Sequence, residues 1–351
     1  MSRFLGRQAA ALTPYTPGEQ PRDRAYIKLN TNECPYPPAP GVAAALADTA
    51  ELARLYPDPE ALELRRAFAG VYGVDPSQVF AANGSDEVLA FAFLAFFDRG
   101  DKVFFPDPSY GFYPVYADLC GLRACSVPLR EDYRITPGDF YGRDGHILIA
   151  NPNAPTGLAL LRGEIAGILE RNPDRLVIVD EAYVDFAGDI SAVPLLAGYD
   201  NLLIVGTLSK SRSLAGMRLG YALGSRELIA ALERIKYSFN PYNVNRATQA
   251  AGIAALKDGA HFRETTGKVK RTRQCVFGEL TGMGLRVLES EANFLFVSHP
   301  RLSGGELTAA LREKGILVRC FTHPATLAFA RISVGTDEEM DTLLRAVRAL
   351  G

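Results

Sequence analysis

The sequence LLIVGTLSKSRSLAGMRLG, residues 202–220, is an apolar run that leads into a segment rich in Ser and Gly. The run 202–206 is typical of a buried strand in a parallel sheet. Lys210 follows it between small residues, where loss of water would lower the pKa of its ammonium group and let it attack a carbonyl carbon. Arg218, eight positions further on, could face the same anionic ligand. Taken alone, the segment fits a solvated loop equally well.

Apolar runs and helical patterns alternate on both sides of this stretch. The runs that predict strands are 79–82, 102–106, 123–127, 146–150, 176–180 and 219–223, with helices between most of them. This order predicts an α/β fold with a large domain whose mostly parallel sheet is sandwiched by helices. From about Pro241 the pattern changes to a long helix and then mixed strands and helices, which indicates a smaller α+β C-terminal domain. The predicted organisation is an N-terminal arm (1–40), a large domain (41–240) and a small domain (241–351).

The composition argues against several classes of protein. A chain of 351 residues is longer than one hydrophobic core usually serves, and a formal net charge of −2 gives no basis for binding nucleic acid or an anionic membrane. The five cysteines show no Cys-x-x-Cys spacing, and isolated histidines do not favour a zinc site. The N-terminal residues lack the apolar core of a signal peptide. We therefore expect a cytoplasmic protein with reduced thiols and no metal.

Polar groups follow the carboxyl ends of the predicted strands, where ligands bind in open α/β sheets. Gly84, Ser85 and Asp86 begin a helix whose free N–H groups suit a phosphate, although ordinary helix capping explains them as well. Asp180 ends a buried strand and needs a partner, such as a protonated ring nitrogen or a metal. Tyr110, on a turn bounded by Pro and Gly, is able to stack on a planar ring. No Gly-x-Gly-x-x-Gly follows a strand, which weakens a dinucleotide-binding interpretation.

The ordered set of motifs resembles the fold-type-I pyridoxal-phosphate aminotransferases of class I/II. The matching segments are YPD (56–58), GSDE (84–87), PSY (108–110), NPNAPTG (151–157), DEAY (180–183) and SK (209–210), with Arg218 and Arg331. Within that class the chain is most similar to the histidinol-phosphate aminotransferase family. This closer resemblance depends on LTPY (12–15), LNTNE (29–33), TLSK (207–210), YNVN (242–245) and RISVGT (331–336).

The resemblance implies that the protein binds pyridoxal 5'-phosphate and assigns roles to individual residues. The lysine matching Lys210 carries the cofactor as a Schiff base and moves the substrate proton, while the aspartate matching Asp180 keeps the ring nitrogen protonated. Tyr183 would bond the ring oxygen and Tyr110 would stack on the ring. The residues implied to hold the cofactor phosphate are Gly84, Ser85, Asp86, Ser209, Arg218 and, from the partner subunit of a homodimer, Tyr56.

One position departs from the family pattern. The family usually has Asn directly before Pro-Thr-Gly, where it donates to the ring oxygen, but this chain has Ala154 there and Asn153 one residue earlier. Two outcomes remain open: Asn153 replaces the usual residue, or Tyr183 acts alone.

The resemblance also implies how the substrate is held. Arg331 would grip its anion, with Arg319 as the second candidate, and Tyr15 and Asn32 on the arm would close over it; a structural alternative pairs Arg331 with Glu338. The implied reaction converts L-histidinol phosphate and 2-oxoglutarate into imidazole-acetol phosphate and glutamate, a step of histidine biosynthesis. Two alternatives remain open on the same scaffold, a threonine-phosphate decarboxylase and a broader aromatic amino-acid aminotransferase.

Overall fold

A computed structural model describes residues 2–351 of the chain. Its helices are α1 (Arg7–Ala11), α2 (Gly41–Ala47), α3 (Leu62–Tyr72), α4 (Gly84–Phe96), α5 (Tyr113–Cys120), α6 (Arg162–Glu170), α7 (Arg226–Phe239), α8 (Arg246–Lys257), α9 (Gly259–Gly282), α10 (Gly304–Glu313) and α11 (Asp337–Arg348). Its strands are β1 (Ile27–Lys28), β2 (Val79–Ala82), β3 (Lys102–Asp107), β4 (Arg123–Pro128), β5 (His146–Ala150), β6 (Val177–Asp180), β7 (Leu202–Thr207), β8 (Gly220–Leu223), β9 (Arg286–Val287), β10 (Phe294–Ser298), β11 (Ile316–Leu317), β12 (Arg319–Cys320) and β13 (Phe329–Ser333).

The large sheet has seven strands in the order β2-β8-β7-β6-β5-β3-β4. The strands from β3 to β7 are parallel, and only β8 runs antiparallel to both of its neighbours, β2 and β7. The predicted α/β class with a mostly parallel sheet is therefore confirmed. Because β3, β5, β6 and β7 run in one direction, their carboxyl ends meet at one edge of the sheet.

Helices cover both faces of this sheet, which explains why its strands, apart from the exposed edge strand β4, are apolar without alternation. In β7, Leu202 and Ile204 belong to one buried cluster, with residues of α3, α6 and α8. Leu203 and Val205 point to the opposite face and pack with residues of α4, α5 and α7. The run that precedes Lys210 is thus buried on both sides and holds the next segment in a fixed place.

The small domain contains the antiparallel sheet β12-β13-β10-β9, with α10, α11 and the end of α9 packed on it. Helix α8 lies beyond the boundary expected at residue 240, but its buried Ala251, Ala255 and Leu256 pack in the core of the large domain. This packing favours a boundary near residue 258. The arm joins the small domain, because β1 pairs in parallel with β11.

Within residues 2–351, no helix is both long enough and apolar enough to cross a bilayer.

Candidate active site

A cavity of about 420 Å³ lies at the carboxyl ends of the parallel strands, between the two domains and under the N-terminal arm. It brings together most of the residues expected at the site from the sequence. Those in its wall are Tyr15, Asn32, Ser85, Asp86, Tyr110, Asp180, Tyr183, Ser209, Lys210, Arg218, Arg319 and Arg331.

Lys210 is the basic group at the floor of the cavity. Its Nζ donates to the carbonyl oxygen of Thr31 on the arm at 3.3 Å and lies 6.0 Å from the ring centroid of Tyr183. Burial, and after it the positive charge of Arg331, lower the pKa of Lys210 to about 8. A lysine in this state has an appreciable neutral fraction at mildly alkaline pH and can act as a nucleophile or a base.

Asp180 ends β6 as a buried carboxylate. Its Oδ2 accepts from the Tyr113 hydroxyl at 2.9 Å, and its Oδ1 accepts from the Ala182 amide at 3.1 Å. Burial raises the pKa of Asp180 to about 6 despite these two bonds. No cationic side chain of the described residues forms an ion pair with it, so this carboxylate remains available to a positively charged group in the cavity.

The start of α4 forms an anion-binding corner. Asp86 accepts from Arg218 Nη2 and from the Tyr110 hydroxyl, each at 3.0 Å, so three candidate residues form one network. Gly84 has a positive φ of 77°, and a Cβ there would lie 2.6 Å from Arg218 Nη2. Any larger residue would therefore displace the guanidinium. Free helix N–H groups beside an arginine suit a phosphate group.

Ser209 completes this corner from the β7 side. Thr207 Oγ1 donates to Ser209 Oγ at 2.8 Å and also accepts from the Ser209 amide at 3.1 Å, so the turn before Lys210 is held by its own side chains.

Tyr183 connects the large domain to the arm and the small domain. Asn32 Nδ2 donates to the Tyr183 hydroxyl at 3.0 Å, and Ser333 Oγ of β13 donates to Asn32 Oδ1, also at 3.0 Å. Burial raises the pKa of Tyr183 above its ordinary value. The phenol is therefore a neutral hydrogen-bonding group whose position depends on all three parts of the chain.

Arg331 is the buried cation on the opposite wall. Its Nη2 donates to the Asn30 carbonyl at 3.2 Å, and its guanidinium carbon lies 5.3 Å from the ring centroid of Phe294. Its Nε is buried without a hydrogen-bond partner among the described residues. The structural alternative, an ion pair between Arg331 and Glu338, does not form within residues 2–351. An unpaired buried guanidinium is costly, and this points to an anionic ligand.

Arg319 lies beside Arg331 and faces the arm. Its Nη2 donates to the Thr16 carbonyl at 2.9 Å, and its guanidinium carbon is 5.5 Å from the Tyr15 ring centroid. The ring of Tyr15 packs on Phe112, with centroids 4.6 Å apart. The arm thus covers the cavity in contact with both domains.

Three expected residues do not line the cavity, and one of them, Gly84, lies beside Arg218 of the cavity wall. The side chain of Asn153 is buried and forms hydrogen bonds outside the cavity. It accepts from Ser109 Oγ at 2.7 Å and donates to the Pro108 carbonyl at 3.1 Å. Ala154 faces the cavity instead, in a wall shared with a second cavity of about 360 Å³. Tyr56 is 77% exposed and lies outside both cavities.

The sequence interpretation missed Tyr113 and Thr31. Tyr113 begins α5 three residues after Tyr110, and the two rings meet edge-on with centroids 5.5 Å apart. This short separation in the sequence was the only signal available. The contact of Lys210 with Thr31 is made through a backbone carbonyl, so no residue type could have indicated it.

Comparisons with known proteins agree with this geometry. The profile of the family described as aminotransferase class I and II matches residues 24–347. The chain is 52% identical over 351 residues to the histidinol-phosphate aminotransferase of Chromohalobacter salexigens, covering 100% of this chain and 99% of that protein. It is 51% identical over 350 residues to histidinol-phosphate aminotransferase 1 of Bradyrhizobium diazoefficiens, covering 100% of both.

Among solved structures, the fold is similar to that of histidinol-phosphate aminotransferase from Sinorhizobium meliloti in complex with pyridoxal-5'-phosphate. The TM-score is 0.90 at 24% identity, over 100% of this chain and 99% of that one. At this identity the match establishes the fold.

Proposed function

The chain belongs to the class I and II aminotransferases, and on that premise we propose that it transfers the amino group of L-histidinol phosphate to 2-oxoglutarate. The products are imidazole-acetol phosphate and glutamate, and the reaction is a step of histidine biosynthesis. The observation that carries the proposal is the joint presence, in one cavity, of a lysine of lowered pKa, a buried carboxylate and an unpaired buried arginine.

The residues present fit pyridoxal 5'-phosphate as the cofactor. The start of α4 with Ser209 and Arg218 offers donors for a phosphate, and Gly84 leaves the room that this arrangement needs. Asp180 forms no ion pair with any side chain of residues 2–351 and suits a protonated ring nitrogen. Tyr110 offers a ring face, and the Tyr183 hydroxyl offers a bond to the ring oxygen. When bound, pyridoxal phosphate supplies an electron sink for the pair left when the carbon bearing the amino group loses its proton.

The protein's own groups then have separate tasks. Lys210 Nζ takes the proton from the carbon bearing the amino group and returns it on the cofactor side, which its pKa of about 8 allows. Asp180 holds a positive charge at the ring nitrogen. Tyr183, fixed by Asn32, orients the ring oxygen. Asn153 is bonded elsewhere, so Tyr183 is the donor that we assign to that oxygen.

Arg331 is the proposed anion-binding group for both substrates. Its planar fork can hold either the phosphate of histidinol phosphate or a carboxylate of glutamate. Arg319, beside it, adds a second positive charge, and Tyr15 with Asn32 covers the bound substrate from the arm side. Exclusion of water by the arm strengthens these charge interactions.

We infer that the functional unit is a homodimer in the cytoplasm. Tyr56 lies outside its own cavity and is 77% exposed, as a residue that reaches the phosphate corner of a partner subunit would be. It stands among other exposed apolar side chains, and an exposed apolar patch usually marks an interface. The five cysteines, all free in the structure, suit a reducing compartment.

The test is an assay of the purified protein with histidinol phosphate and 2-oxoglutarate. We expect one glutamate for each imidazole-acetol phosphate, and no carbon dioxide from threonine phosphate. Lys210→Ala should abolish turnover, whereas Lys257→Ala, a change to an exposed lysine at the end of α8, should not. Carbon dioxide release in place of glutamate would assign the protein to the lyases of this scaffold. Full activity in Lys210→Ala would overturn the mechanism.

A further inference from the structure

The loop Tyr56–Pro59 is held far more firmly than an exposed loop requires. Three of its four carbonyl oxygens accept hydrogen bonds from side chains of α7 and α8. Arg246 Nη2 donates to the Tyr56 carbonyl at 2.6 Å, Gln249 Nε2 to the Asp58 carbonyl at 3.0 Å, and Lys236 Nζ to the Pro59 carbonyl at 2.8 Å. We call these three side chains the carbonyl clamp.

Lys236 shows that this arrangement is costly. Its side chain is only 2% exposed, and a buried ammonium group is unfavourable unless it is paired. It forms an ion pair with Glu233, which is itself 3.7 Å from Arg65 Nη1. The buried ion network ends on a backbone carbonyl of the loop, so its effect on the structure is to fix that loop.

Tyr56, the first residue of the loop, exposes its side chain to solvent. The Tyr56 ring stacks on Tyr242, with centroids 4.5 Å apart and planes 21° apart. Arg246 and Gln249 begin the helix that follows Tyr242, so the same helix supports the backbone of Tyr56 and lies next to its stacking partner. Further exposed apolar side chains lie close in the sequence to the two members of this pair: Leu52 and Leu55 precede Tyr56, and Tyr237 and Phe239 on α7 precede Tyr242.

Tyr56 does not line the active-site cavity of its own chain or the cavity beside it, but it lines an open surface cleft with Pro57 and Arg246. The active site of the same subunit therefore does not require a fixed backbone under this ring. Pre-organisation of a contact residue lowers the entropy lost when it binds. We propose that Arg246, Gln249 and Lys236 are positioning residues that hold the Tyr56 hydroxyl in place for the phosphate corner of the second copy of this chain. This inference rests on the proposed homodimer: the clamp of one subunit acts on the active site of the other subunit.

The first test measures cofactor binding rather than activity. Pyridoxamine 5'-phosphate, which needs no covalent link to Lys210, is titrated into the cofactor-free protein by calorimetry. We expect Arg246→Ala, Gln249→Ala and Tyr56→Phe each to raise the dissociation constant about tenfold, the size of one hydrogen bond to a charged group. Arg246→Lys keeps a donor and should recover part of the loss. The control Arg234→Met changes an exposed arginine of α7 and should have no effect.

The second test asks in which subunit the effect occurs. Mixed dimers are made from two tagged chains, and Lys210→Ala inactivates one of the two sites. When Lys210→Ala and Arg246→Ala are in the same chain, the working site of the other chain receives the poorly held Tyr56. Its half-saturating concentration of pyridoxal phosphate should then rise about tenfold. When the two changes are in different chains, the working site receives an intact Tyr56 and should behave as wild type.

The outcomes separate this inference from the proposed function. If Arg246→Ala impairs the site of its own chain, the clamp is a local structural device and the inference is overturned. If Tyr56→Phe weakens binding but Arg246→Ala and Gln249→Ala do not, the inference alone fails. If Tyr56→Phe has no effect, the reach of Tyr56 across the dimer is wrong, and the inference falls with it. Lys236→Met removes a buried ion pair and can destabilise the whole protein. Its thermal unfolding is therefore measured as well, and cofactor binding is compared only for samples that are folded.

Discussion

At the scale of single residues, the chemistry depends on how the charges of Lys210 and Arg331 affect each other. Both groups are buried in one cavity, and the Arg331 charge is the second largest cause, after burial, of the lowered pKa of Lys210. Removal of that charge leaves burial but relieves the repulsion. We therefore expect Arg331→Met to raise the pKa of Lys210 above about 8.

Competitive labelling of the cofactor-free protein with acetic anhydride across pH 6–11 would measure this pKa. Arg319→Met is the matched control, because Arg319 is not among the main charges that act on Lys210, and it should produce a smaller shift. An unchanged or lower pKa in Arg331→Met would contradict the proposed arrangement of the two cations.

Asp180 allows a second prediction at this scale. Asp180→Asn keeps the size of the side chain but cannot stabilise a positive ring nitrogen, so we expect the cofactor to bind and the rate to fall by at least about 10²-fold. Tyr113→Phe is the control: it removes the 2.9 Å bond to Asp180 but leaves the charge, and it should cost much less. Steady-state rates at saturating cofactor distinguish them. Equal losses in both variants would mean that geometry, not charge, is the essential property.

Some of these residues could be predicted from the sequence and others could not, for physical reasons. Lys210 and Asp180 follow buried strands, and the ends of parallel strands converge in any sheet of this kind. The orientation of Asn153 depends instead on the turn at Pro108 and Ser109, more than forty residues earlier. This turn forms hydrogen bonds with the side-chain amide of Asn153. Such a contact is a property of two loops folded against each other, and no local pattern of residues contains it.

At the scale of elements, the positions of the strands could be predicted from the sequence, but the direction of β8 could not. The link 208–219 between β7 and β8 has no crossover helix, so the chain turns back and β8 is antiparallel to β7. The change of pattern from about Pro241 placed helix α8 in the predicted small domain. Its apolar face nevertheless packs on α2 and α3, because its buried alanines and Leu256 complete the core on that side of the large sheet.

The N-terminal arm gives a prediction at this scale. Residues Tyr15, Gly18 and Gln20 line the cavity, whereas α1 has no buried residue. Removal of residues 2–20 should raise the KM for both amino donors at least about tenfold, because contacts over the substrate are lost, and should leave cofactor affinity unchanged. Removal of residues 2–11 alone is the control and should have little effect on KM. Loss of the cofactor from the longer deletion would show instead that the arm supports the large domain.

At the scale of the whole molecule, the proposed homodimer would make each active site depend on the association of two subunits. If each phosphate corner needs the Tyr56 of the other subunit, a monomer has an incomplete site. Its specific activity should then depend on protein concentration by mass action, with a midpoint at the dissociation constant of the dimer. A protein whose site is complete in one chain would show the same specific activity at every dilution.

A charge placed in the exposed apolar patch should make this dependence measurable. Phe239 is 72% exposed at the end of α7, near Tyr242, and a carboxylate there would have to be buried without a partner when two copies associate. We expect Phe239→Glu to be monomeric by light scattering at micromolar concentration, to bind pyridoxamine phosphate about tenfold more weakly, and to lose most of its activity. Leu161→Glu, a change at a residue 64% exposed before α6 and outside the patch, should remain dimeric and active. If Phe239→Glu is monomeric and fully active, each chain holds its cofactor alone, and the exposed position of Tyr56 has another cause.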